Sequence, residues 1–247
     1  MKMNNPRLSS ELCVLLLVFS VTAVSASKND FLRDYKGTPF QDSHYRDGAQ
    51  KIPGKVICAY YDLGGEGVAY HDADAVNRGS GGLNPADGIY LNEFRKNEGV
   101  DTSYTKFNRN PQIDDTQYDR VLPPANQLYV GWTEPGEWFN ITVDVDRDGV
   151  YSADLLYTSN RGGTISIDVN GEQTSGPLAI KSTFDSTDPV EWRQWHHWNI
   201  APSLAKLHLR KGRSVLTVHI LTEGQMNLAI FDFKPVCNGS GCPTSRF

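Results

Sequence analysis

Tyr129-Val130-Gly131-Trp132-Thr133-Glu134-Pro135-Gly136-Glu137-Trp138-Phe139-Asn140-Ile141-Thr142-Val143 decides how the rest of the chain is read. It reads as a short strand, a tight turn at Pro135-Gly136, and a second strand with apolar residues at alternate positions. Two tryptophans, Trp132 and Trp138, flank the turn. Working outward, Val150–Tyr157 is rich in strand formers. Thr164–Val169 alternates apolar and polar residues and runs into Asn170-Gly171, a strong hairpin signal. Ser214–Ile220 is a further strand, entered through Lys211-Gly212. No long amphipathic helix is present, and Ser203–Leu207 leads into a strand. Short strands separated by Gly, Pro and Asn turns point to a sandwich or a barrel. Two stretches rich in Asn, Pro and Asp, Ser80–Glu93 and Ser103–Asn126, read as long surface loops.

The chain has 247 residues, enough for one sizeable core. Residues 1–26 read as a secretory signal peptide. Lys2 and Arg7 form the positive start, Leu12–Val24 the apolar run, and Val24-Ser25-Ala26 the small-residue cleavage site. A secreted, extracellular protein is therefore expected. The apolar run is too short to favour a membrane span.

The full chain carries a formal charge of -5, and removing Lys2, Arg7 and Glu11 with the leader leaves about -6. No basic run that would track phosphates is present. Nucleic acid and anionic membrane are poor partners for such a surface, and a neutral polymer suits it better. Residues 27–51 are polar and aperiodic and read as an extended lead-in. Phe31, Tyr35, Phe40 and Tyr45 tie it to the domain. Cys58, Cys237 and Cys242 remain after the leader and Cys13 are removed. Cys237 and Cys242 enclose a flexible four-residue loop and form the expected disulfide, and the rival pair is Cys58 with Cys237. Asn140-Ile141-Thr142 and Asn238-Gly239-Ser240 are glycosylation sequons, relevant in a eukaryotic source.

The Tyr129–Val143 stretch resembles the central hairpin of family 6 carbohydrate-binding modules, with its pattern Y-x-V-G-W-T-x-P-G-E-W-x-x-Y-T-V. Ile52-Pro53-Gly54 is similar to the family's opening strand. Gly64-Gly65-Glu66-Gly67-Val68-Ala69-Tyr70-His71-Asp72 is similar to its glycine-rich loop, and Met226–Phe233 to its closing strand. The segments fall in family order. The resemblance implies an all-β fold, a β-jelly-roll sandwich of two antiparallel sheets, over residues 52–235, with a tail at 236–247. It implies non-catalytic recognition of polysaccharide, of xylan or β-glucan type, in an aromatic-lined loop cleft. Secreted glycoside hydrolases would be further partners.

A pyranose ring needs a flat aromatic surface for its CH face and fixed polar groups for its hydroxyls. In the family, two aromatics hold the sugar and an asparagine of the last strand bonds to it. Phe94 in Phe94-Arg95-Lys96-Asn97-Glu98-Gly99-Val100-Asp101 matches the first aromatic, with phenylalanine where tyrosine is usual, and an alternative role as a loop anchor. Trp192 matches the second aromatic and Asn227 the asparagine. Glu66, beside the implied cleft, offers a carboxylate to hydroxyls. Trp132, Trp138, Trp195 and Trp198 read as structural.

The resemblance also implies a structural calcium, but Ile57, Ala59 and Ala229 stand where its carboxylates belong. A hard cation needs oxygen ligands, which leaves only Asp232 or backbone carbonyls, so no cofactor is expected. Asp144–Gly149 looks like a calcium loop but lacks the twelfth-position glutamate and reads as a turn between strands. Glu66, Glu98, Asp101 and Glu137 fall in no recognisable catalytic motif. The adjacent His196 and His197 fall in no triad pattern. A binding protein without catalysis is therefore expected. A matrix protein that kept the sandwich and lost the sugar site is the alternative, and a glycoside hydrolase or its accessory subunit is the second.

Overall fold

The computed structural model describes residues 28–236. The signal peptide, the Cys237–Cys242 pair and the Asn238 sequon lie outside the described residues. The strands are β1 (Gln50–Ile52), β2 (Gly54–Ile57), β3 (Tyr70–His71), β4 (Thr102–Tyr104), β5 (Leu128–Val130), β6 (Trp138–Val145), β7 (Gly149–Ser159), β8 (Gly163–Val169), β9 (Glu172–Gln173), β10 (Leu178–Ile180), β11 (Asn199–Leu209), β12 (Gly212–Thr222) and β13 (Met226–Pro235). They form two facing sheets. One runs β1-β6-β12-β8-β10, with β3 on β6 and β9 on β8. The other runs β11-β7-β13-β5-β4, with β2 on β13. The expected sandwich is present, and its pairs are antiparallel except β1 with β6.

Alternation sets the inner faces. On β8, Ile165, Ile167 and Val169 are buried while the residues between them are half-exposed. They meet Phe139, Ile141 and Val143 of the same sheet. Opposite them stand Tyr151, Leu155, Tyr157, Phe231 and Phe233 of the other. Side chains at period two can fill a sandwich only from one face of each strand. The Asn170-Gly171 turn closes the β8–β9 hairpin with Val169 opposite Glu172 and both turn residues at positive φ, as a two-residue turn demands. A side chain at Gly171 would meet Phe31, its Cβ lying 2.5 Å from the ring.

Three sequence expectations are corrected. The Tyr129–Val143 stretch is not a hairpin: β5 pairs with β13 and β4, whereas β6 lies in the opposite sheet. The Pro135-Gly136 turn therefore carries the chain across the edge of the sandwich. The lead-in is not wholly extended, because a short helix, Lys28–Asp34, begins it. From there Tyr35 donates its hydroxyl to Asp62 and Thr38 bridges Leu63. Finally, the two long loops are not wholly at the surface. Asn84, Asn92, Thr105 and Asp114 within them are buried. Asn84 and Asn92 bond to Ser103 and Tyr104 of β4, and Val121 packs on the outer face of β13 and β5, where Tyr129, Leu156, Trp198, Ala229 and Ile230 form a second apolar cluster.

Cys58 is a fully buried free thiol, and burial pushes its pKa up. The Asn140 sequon is closed to modification in the folded chain. Its amide lies within the sheet, donating to the Val68 carbonyl at 2.9 Å and accepting from Thr217 at 2.6 Å. Asp144–Gly149 is the turn from β6 to β7.

Candidate functional site

The loop after β3 turns sharply because its aspartates cap it. Asp72 Oδ1 accepts the Asp74 N–H at 3.1 Å, and Asp74 Oδ1 accepts the Val76 N–H at 2.8 Å. Asn77, buried, accepts the N–H groups of Gly79, Ser80 and Thr102 with one oxygen. Asp101 accepts the Arg78 N–H. This loop, the Gly99–Asp101 segment and the 131–137 crossover turn converge at one end of the sandwich.

Between them lies an open cleft of about 320 Å³, with Trp132, Leu83, Arg78 and Gln225 on its walls among Asp72, Asp74, Asp101, Glu134 and Glu137. A second hollow of about 420 Å³ adjoins it through the shared wall Asp72–Asp74 and extends to Glu66, Tyr70 and Asn97. Each falls in the size range of small-ligand sites.

Trp132 is half-buried and stands at φ 47°, in the left-handed region. Its indole packs 6.4 Å from the Tyr129 ring and beside Gly79, where an added Cβ would come within 3.1 Å of it. Glu137 accepts the N–H of Glu134 at 2.8 Å and of Ala73 at 3.2 Å. Burial pushes its carboxyl up to about 7, with the charges of Asp72 and Glu134 adding and the two N–H bonds opposing. Burial likewise pushes Asp101 up to about 6. The Arg78 N–H opposes this, while Asp72 and Asp74 add to it. The Val76 N–H and the Arg78 guanidinium, 2.6 Å away, hold Asp74 below the usual range. Glu66 accepts from His71 at 2.5 Å and from the Asp72 N–H at 3.1 Å, so it buttresses the same loop. The cleft thus offers an aromatic wall and many fixed acceptors against one guanidinium.

The residues expected to form the site are not brought together. Phe94 is 2 % exposed. Phe40 of the lead-in meets it edge-on at 5.5 Å, and Tyr60 and Tyr90 pack around it, so it is a loop anchor out of ligand reach. Asn227 is fully buried, with its amide engaged by Thr158, His196 and the Trp132 backbone. Trp192 is 52 % exposed on the turn Glu191–Arg193 and lines neither hollow. Of the four, only Glu66 borders either hollow, and it lines the second one rather than the cleft itself. Trp132, read from sequence as framework, is its aromatic wall. The available signal was the glycine before it, which lets a strand end turn out of the sheet.

Of the remaining tryptophans, Trp198 is fully buried, and Trp138 and Trp195 are half-buried. His196 and His197 are both buried, each against its own aspartate, Asp114 and Asp188. At the implied calcium position, Ala59 and Ala229 are fully buried and Ile57 packs against both apolar clusters beside them. Asp232 pairs with Lys234 at 3.3 Å. These residues do not fit a hard cation. No helix of the described residues is long and apolar enough to cross a membrane.

No family model matches the chain, and no curated protein sequence matches it. Its fold is similar to that of solved carbohydrate-binding modules. A family 6 module from Clostridium stercorarium, solved with cellobiose, matches over 77% of this chain and 99% of its own length, with a TM-score of 0.46 and 10% identity. A β-1,3-glucan-binding family 6 module from Bacillus halodurans matches over 75% and 98%, with a TM-score of 0.43 and 13% identity. A family 35 module from Clostridium thermocellum matches over 46% and 80%, with a TM-score of 0.36 and 18% identity.

Proposed function

We propose that this chain is a secreted, non-catalytic carbohydrate-binding protein, and that its glycan lies in the cleft between Trp132 and the 72–78 loop. One observation carries the reading: a half-buried indole walls an open cleft that is also lined by the carboxylates of Asp72, Asp74, Asp101, Glu134 and Glu137. The indole supplies the flat surface for a pyranose face, and the carboxylates accept from its hydroxyls. The excess of acceptors favours a neutral glycan, of the xylan or β-glucan type, over an acidic one. Glu66 extends the acceptor wall toward the second hollow. Trp192 and Phe184 are also exposed aromatics, and neither lines the cleft or the second hollow.

A hydrolase is the second reading, favoured by the raised Glu137 and Asp101 in one cleft. Against it, both Glu137 oxygens are occupied by backbone N–H groups, as suits a structural clamp. Calorimetry with xylohexaose and laminarihexaose tests the proposal. The intact chain binds one of them, and Trp132→Ala loses about tenfold or more in affinity while staying folded. Binding unchanged by Trp132→Ala removes the cleft from consideration. Release of reducing ends during the titration establishes the hydrolase.

A further inference from the structure

Asn227 sits on β13 opposite Thr158 of β7, on the outer face of its sheet. Its three polar contacts are all internal. Nδ2 donates to Thr158 Oγ1 at 2.9 Å and to His196 Nδ1 at 2.9 Å. Oδ1 accepts the backbone N–H of Trp132 at 3.3 Å. The amide cannot be turned over, because Nδ2 would then face the Trp132 N–H, donor against donor. Its donation to His196 Nδ1 leaves the His196 proton on Nε2, which donates to Asp114 Oδ1 at 2.7 Å. Asp114 is fixed in turn. Trp198 Nε1 donates to the same oxygen at 2.6 Å, and the Lys106 N–H donates to the other at 2.6 Å. Asn227, Thr158, His196, Asp114 and Trp198 are all buried.

The far end of the chain is where it acts. Trp132 holds a left-handed backbone that a residue with a Cβ adopts at a cost. Such a conformation persists only where its surroundings enforce it. Gly131 passes so close above the amide that a Cβ there would lie 2.8 Å from Asn227 Oδ1. Glycine thus admits the acceptor, and the acceptor holds the turn that swings the indole out of the sheet and into the cleft wall.

Resting on the carbohydrate-binding reading of the cleft, we propose that Asn227, fixed by the Asp114–His196 pair, is the positioning residue for the Trp132 indole and does not itself touch the glycan.

The test pairs a ligand-free readout with an affinity. Amide hydrogen exchange follows the Trp132 N–H, and calorimetry follows whichever of xylohexaose and laminarihexaose binds. In the intact chain the Trp132 N–H is protected. In Asn227→Ala its exchange quickens about tenfold or more, and affinity falls by about the same factor as in Trp132→Ala. Asn227→Asp restores both, since a carboxylate still accepts from Trp132. Should Asn227→Ala not fold, Gly131→Ala presses on the acceptor from the other side and produces the same paired losses. Protection and affinity both unchanged in Asn227→Ala overturn the proposal, as does lost protection with full affinity. Wild-type affinity in Trp132→Ala instead overturns the placing of the glycan in this cleft, and the exchange data still decide whether Asn227 holds the turn.

Discussion

The Glu137 carboxylate accepts the Ala73 N–H at 3.2 Å, across 64 positions of chain, and so pins the crossover turn to the loop that forms the opposite cleft wall. Its other oxygen closes its own turn on the Glu134 N–H. The cleft is therefore held open by a carboxyl that burial has pushed up to about 7. A group that joins two walls and titrates near neutrality makes the cleft sensitive to pH.

Stability falls as pH rises. Glu137 moves from 4.5 in the unfolded chain to about 7 in the folded one, and Asp101 from 3.8 to about 6. Between about pH 4 and 7 the folded state binds more protons than the unfolded one, so the free energy of unfolding declines through that window. Asp72, raised by burial, acts in the same direction, and so does His71, raised by its bond to Glu66. Asp188, held against burial and well below the usual carboxylate range by its bonds from Arg193 and His197, opposes this trend only at the acid edge of the window, where its unfolded carboxyl still binds protons. The urea midpoint is lower at pH 8 than at pH 5, and Asp101→Asn, which keeps the acceptor for the Arg78 N–H, reduces the difference. A midpoint that climbs from pH 5 to 8 contradicts the assignment of these two carboxyls.

Phe94 and Trp192 separate packing from exposure. Phe94→Ala removes a ring from a cluster with Phe40, Tyr60 and Tyr90 and costs about 3–5 kcal/mol. Trp192→Ala, at a half-exposed turn, changes stability by less than about 1 kcal/mol. Thermal or urea unfolding checks both. Equal losses in the two variants, or a stable Phe94→Ala, contradict the burial of Phe94 under the lead-in.

Cys58 is inert while the chain is folded. Nucleophilic attack needs a thiolate, and full burial both raises the thiol pKa and bars the reagent. Iodoacetamide labelling followed by peptide mass spectrometry leaves Cys58 unmodified in buffer and modifies it in denaturant. Labelling of Cys58 in buffer at the rate of a free thiol shows that this corner of the core opens.

The strands were legible because period-two alternation is a local property. Ile165, Ile167 and Val169 announce their face without reference to any partner. The sheet to which a strand belongs is not local. β5 and β6 flank a turn that suits a hairpin, yet β5 pairs with β13 and β4 while β6 pairs with β12 in the other sheet, partners that lie far off in sequence. The site was hidden for a related reason. Phe94 and Asn227 match a sugar-binding pattern by type and order. Their exposure is decided by segments far away in sequence, Phe40 for one and His196 for the other. Trp132 reads as framework because it belongs to the stretch that resembles the family hairpin, while its place on the cleft wall comes from its packing against Tyr129 and Gly79.

The lead-in belongs to the folded unit, and Tyr35 is the place to show it. Its hydroxyl donates to Asp62 Oδ2 at 2.8 Å. Asp62 is buried and otherwise held by the Thr142 N–H at 2.8 Å and the Thr142 hydroxyl at 2.6 Å. Tyr35→Phe deletes one of these bonds without removing the ring, and it costs about 1–3 kcal/mol for a buried carboxylate left short of a donor. The loss depends on pH. Burial raises Asp62, and the bonds from Thr142 and Tyr35 oppose it, so removing the Tyr35 hydroxyl raises it further. A carboxyl raised in the folded state destabilises progressively as it ionises, so the deficit of Tyr35→Phe is greater at pH 8 than at pH 4.5. Paired urea titrations of the intact chain and the variant at the two pH values measure it. A deficit that is constant across pH assigns the effect to ring packing, and one that shrinks toward pH 8 contradicts the bond to Asp62.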